Sequence, residues 1–183
     1  MSNQAFLDSA QIDYMNRVLH EAYRESDRAA AILIGAEIDS ALRSLIQAFI
    51  LPPTNKSTNL LQSDAPLGTM ASRIEIAYRL GLISVRLHRE LHLLRRVRNE
   101  FAHHLAGFGF GDSPARDLCY ELAIPQWVLD GRPELSAELS LNAPRNRFTL
   151  SGACGVALLS GLPPRVETVS PKAPEFGDEE DVA

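Results

Sequence analysis

The stretch Ser84–Leu105, SVRLHRELHLLRRVRNEFAHHL, does most to limit what this chain can fold into. At about 100° per residue, Leu87, Leu91, Leu94, Val97, Phe101 and Leu105 share one face, which predicts an amphipathic helix that buries this stripe. Arg98 falls among Leu87, Leu91 and Leu105 on the wheel, so its guanidinium is expected to be partly buried. A charge taken out of water needs a carboxylate and further acceptors to offset its desolvation. Glu37, on the flank of another apolar helix face, is the predicted partner, making Arg98–Glu37 a candidate structural ion pair. His88, His92, Arg95, Asn99 and His103 form a second, polar stripe that faces solvent or a partner.

The rest of the chain reads as helices around this one. From about Ser9 to Tyr23, Ile12, Met15, Val18 and Leu19 recur at helical spacing behind an Asp8 or Ser9 cap. Ser26 caps the next segment, where Ala30, Ile34, Ile38, Ala41, Leu42, Leu45 and Phe49 keep one apolar face and Asp39 and Arg43 form an outward i,i+4 pair. Pro52 and Pro53 stop it. Pro66–Ser84 is predicted as a third helix with Gly81 as its C-terminal cap, and Ser84 caps the helix described above. The glycines of GFGFGD mark a turn anchored by Phe108 and Phe110, because no GKS or GKT follows to make a phosphate loop. Pro114 opens a helix to about Leu122, Pro125 closes it, and 127–142 is expected to be irregular. A last helix begins at Pro144 and ends near Gly161, its Ser151, Gly152 and Gly155 suited to tight packing. The expectation is an all-α, single compact bundle of about six helices over residues 1–164, followed by a disordered acidic tail, 165–183.

Composition sets limits on function. A net charge of -5 over 183 residues does not favour binding a polyanion by bulk charge. Arg86, Arg89, Arg95, Arg96 and Arg98 look like a basic patch, but Glu90 and Glu100 interrupt it, and no recognition helix is evident for reading bases. Cys119 and Cys154 sit in no CxxC or Cys/His spacing, so they are read as reduced structural thiols, with no metal and no cofactor expected. The polar N-terminus shows no signal peptide, and the longest apolar run, about fifteen residues, falls short of the roughly twenty a membrane span needs. A cytoplasmic protein without a membrane segment is expected.

Three segments in order, SDRAAAILIGAEIDSALRSLI, PLGTMASRIEIAYRLGLIS and LHLLRRVRNEFAHH, give the chain a resemblance to the mannitol operon repressor family of bacterial transcriptional regulators, over roughly residues 10 to 162. The resemblance implies a compact helical protein, a homodimer or larger, that represses a sugar alcohol operon. With no helix-turn-helix evident, direct DNA binding is not expected, and a protein partner is. Arg98, Asn99 and His103 also match the R-N-x-x-x-H pattern of HEPN domains, some of which are metal-independent ribonucleases. Under that alternative Arg98 would stabilise charge on the scissile phosphate of an RNA, Asn99 would orient it and His103 would act as general acid or base. On an unbroken helix Arg98 and His103 point roughly 140° apart. They would meet only if the helix broke near Ala102 or a second subunit supplied one of them.

Overall fold

The computed structural model describes residues 7–55, 59–104, 107–131 and 140–170. Within them the chain is all helical: α1 Ser9–Arg24, α2 Asp27–Phe49, α3 Met70–Arg79, α4 Val85–His103, α5 Ala115–Tyr120, α6 Ile124–Gly131, α7 Pro144–Ser160, and a final 3-10 turn at Pro163–Arg165. The bundle is centred on α7, which packs against α1, α2, α4, α5 and α6, while α3 leans on α2 and α4. Every α7 residue from Phe148 to Ala157 is buried, so the helix needs no polar face. Its glycine permits that placement. A Cβ added at Gly152 would lie 2.3 Å from Ile34 Cγ2, so the α7 backbone at Gly152 sits directly against the Ile34 side chain of α2.

Local chemistry sets most helix ends. Asp8 and Gln11 form a capping box on α1, and Ser26, Thr69 and Ser84 each accept an amide of the first turn of α2, α3 and α4, contacts worth about 1 kcal/mol apiece. Arginines close C-termini across the bundle. Arg28 donates to Phe101 and His104 carbonyls at the end of α4, and Arg147 to those of Cys119, Tyr120 and Leu122 after α5. Arg145 binds Asp27 at 2.6 Å and the Ala22 and Glu25 carbonyls, fastening the α1–α2 turn to α7. These contacts satisfy carbonyls that a helix end leaves without partners.

Four expectations change. The third helix starts at Met70, not Pro66, because Leu67 and Gly68 amides turn back to the Leu60 and Ala65 carbonyls before Thr69 caps it. It ends at Arg79: Gly81, at φ 73°, follows the Leu80 cap and lets the Leu82 amide reach the Ala77 carbonyl. A seventh helix, α6, covers part of the region expected to be irregular, with Pro125 inside its first turn instead of ending α5. Pro114 precedes α5 as its cap residue. Finally, the tail does not begin at 165, since Thr168 and Val169 donate to the carbonyls of Ala48 and Phe49 at the end of α2. Residues 171–183, Leu105 and 132–139 lie outside the described residues.

Candidate functional site: an arginine-lined cleft

Arg95 and Asn99 of the predicted polar stripe, with Arg98 beside them, line a cleft of about 420 Å³ between α2, α4 and the start of α3. Helical spacing assembles its walls. Gly35 and Asp39 are four apart on α2, and Arg95 stands three and four before Arg98 and Asn99 on α4, so each set shares a face. Gly35 is what lets Arg98 lie across α2: a Cβ there would be 2.7 Å from Arg98 Cγ. Three guanidinium groups, those of Arg73, Arg95 and Arg98, face one carboxylate, that of Asp39.

That carboxylate is already engaged. Arg73, only 1% exposed, places Nη1 2.6 and 2.7 Å from the two Asp39 oxygens and donates through Nη2 to the Leu61 and Gly68 carbonyls at 3.1 Å each. Asp39 therefore pairs across to α3, not with Arg43 along its own helix, and Arg43 donates to the Leu61 carbonyl. Among the described residues, the deeply buried arginine is Arg73.

Arg98 is half-buried and donates to Asn99 Oδ1 at 3.2 Å. The predicted Arg98–Glu37 ion pair does not form: Glu37 accepts the Tyr14 hydroxyl at 2.6 Å, on the side of α2 that meets α1. Burial, with this hydrogen bond and the Glu37 charge, pushes the Tyr14 pKa up to about 12. Among the described residues, neither Arg95 nor Arg98 has a carboxylate at ion-pair distance. Arg95 Nε is buried with no hydrogen-bond partner. Two half-buried guanidinium groups without counter-ions make a receptor for a carboxylate or another oxyanion.

His103 is elsewhere. It is exposed in the last turn of α4, and the helix runs unbroken through it, which rules out convergence on Arg98 by a break at Ala102. His104 Nδ1 lies 2.8 Å from the Glu100 carbonyl, and its ring stacks on Phe108 at 4.2 Å. The other end of the stripe turns to α3, where His88 meets Glu75 and His92. The hydrogen bond to His88 holds the Glu75 carboxyl below its usual range, and burial lowers the His92 pKa.

Sequence reasoning missed one buried group on α4. Glu90, 3% exposed, accepts the Ala123 and Ile124 amides through Oε1 and the Ser151 hydroxyl through Oε2. Its four-residue offset to Leu94 and three-residue offset to Leu87 and Leu93 put it on the inner face, a signal overridden by its charge. It caps α6 from a distance and ties it to α4 and α7.

No protein-family model and no curated protein matches the chain. A solved structure does: the X-ray structure of the MtlR-HPr complex from Escherichia coli, at 22% identity and a TM-score of 0.58, over 81% of this chain and 99% of the matched one. The fold is MtlR-like. The likeness spans nearly the whole of that chain, and no described helix here is long and apolar enough to cross a membrane.

Proposed function

We propose that this chain is a transcriptional regulator of the mannitol operon repressor type that acts through a protein partner, which inserts an acidic side chain into the arginine-lined cleft. The observation that carries this reading is the pair Arg95 and Arg98, half-buried in a cleft whose only carboxylate among the described residues is committed to Arg73. The fold likeness supports a protein partner, since that neighbour was solved together with HPr. The net charge of -5 argues against DNA as the main contact. The protein is expected to be a cytoplasmic homodimer.

A second reading, a HEPN-type ribonuclease or its inactive descendant, rests on Arg98 and Asn99 standing together at the cleft. Because α4 is continuous, it requires His103 of a second subunit. One preparation separates the readings. Isothermal titration with the HPr of the same genome, a gel shift with operator DNA and an RNA cleavage assay are run side by side. The proposal expects HPr binding without operator binding or cleavage. Operator affinity that falls steeply with salt, or cleavage abolished by both Arg98→Ala and His103→Ala, would overturn it.

A further inference from the structure

We propose that Glu75, His88 and His92 form a binding site for a divalent transition-metal ion of the zinc type, clasping α3 to α4. His88 and His92 are four apart on α4, so both imidazoles leave the same face one turn apart, and Glu75 reaches them from α3. The three ligand atoms converge within 4.8 Å of one another. His88 Nε2 lies 3.0 Å from Glu75 Oε2 and 3.2 Å from His92 Nε2. Ligands at zinc distances of about 2.0–2.1 Å in a tetrahedron are about 3.3 Å apart, so these two edges open by a few tenths of an ångström while the Glu75–His92 edge, within 4.8 Å, adjusts to match.

Protons alone satisfy this arrangement poorly. A neutral imidazole nitrogen carries either one hydrogen or one lone pair. A single hydrogen on His88 Nε2 would have to serve a carboxylate and a second imidazole nitrogen at once. A cation at the point of convergence accepts a lone pair from all three. Two imidazoles and a carboxylate suit zinc, cobalt or nickel better than magnesium or calcium, which prefer oxygen. The surroundings hold the ligands in place: Glu75 Oε1 accepts from Arg79 Nε at 2.9 Å, and the Tyr78 ring packs on His88 at 4.5 Å, the kind of outer support metal ligands need. With His88 21% and Glu75 46% exposed at their side chains, the fourth position opens to solvent, as in sites that keep a water or an exchangeable ligand. The sequence hid the site because its carboxylate lies on a different helix, thirteen residues before His88.

The test uses untagged full-length protein, stripped with chelator and titrated with zinc and, separately, cobalt. The expected result is one ion per chain, a higher melting temperature, and the intense visible absorption of tetrahedral cobalt. His88→Gln and His92→Gln should each weaken binding by more than the roughly 10–100-fold that loss of an outer-shell partner costs, with unchanged helical circular dichroism, while His20→Gln, an exposed position on α1, leaves it intact. Absence of stoichiometric binding, or binding that survives both the His88→Gln and His92→Gln changes, would overturn the proposal. If a glutamine variant loses its fold, Glu75→Gln supplies the same readout from the other helix.

Discussion

Replacing Arg73 by alanine is expected to be among the costliest single changes in the protein, and the structure says by how much. The substitution leaves the Asp39 carboxylate without its cation and the Leu61 and Gly68 carbonyls without a donor. Deleting one partner of a buried ion pair costs about 3–5 kcal/mol. The Asp39 side chain is 32% exposed and regains some hydration, which places Arg73→Ala near the lower end, about 3 kcal/mol. For a domain of this size that corresponds to a melting temperature lower by about 6–12 °C. Urea unfolding followed by helical circular dichroism measures it, with Asp39→Asn and the double variant closing a cycle whose coupling should exceed about 1 kcal/mol. Arg98→Ala is the internal control, expected to cost less than about 1 kcal/mol because, among the described residues, Arg98 donates only to its neighbour Asn99. If Arg73→Ala costs under about 0.5 kcal/mol, or Arg98→Ala costs more, the assignment of the bracing role to Arg73 is refuted.

Other outcomes follow from particular contacts. Gly152→Ala drives a methyl into Ile34 and should cost about 1–3 kcal/mol, read by the same unfolding curves, whereas Gly155→Ala, whose Cβ would meet Leu91 only at 3.8 Å, should cost far less. Cys119 and Cys154 are buried, with burial raising both pKa values to about 12; an aromatic disulfide reagent at pH 8 should label neither in the native state and both in urea. Tyr14 keeps its proton in the folded state to about pH 12 against 10.0 ordinarily. Its contribution is therefore complete below pH 10 and is lost as pH rises towards 12. Stability should fall less across that window in Tyr14→Phe than in the wild type.

Helices whose signals are local were readable in the sequence. Asp8, Ser26 and Ser84 cap as their positions suggest, Pro144 opens α7 and Gly81 follows α3. What escaped depends on partners distant in the chain. Nothing near Ile124 announces a helix there, because its first amides are received by Glu90, more than thirty residues upstream. Asp39 looked outward, since Arg43 is its neighbour by spacing, yet Arg73 lies 34 residues on. The candidate site was legible in part for the same reason. Arg98 and Asn99 were singled out by their residue types and both line the cleft, but the glycine that seats Arg98 and the ion pair that leaves the cleft cationic come from α2 and α3.

The account stands or falls on whether a protein partner uses the cleft. Titration of HPr into the wild type, Arg95→Ala and Arg98→Ala measures this directly. The account predicts binding to the wild type, weakened tenfold or more, about 1.4 kcal/mol, by each alanine while the helical content holds. Equal affinity for all three proteins, or none for the wild type, would contradict it.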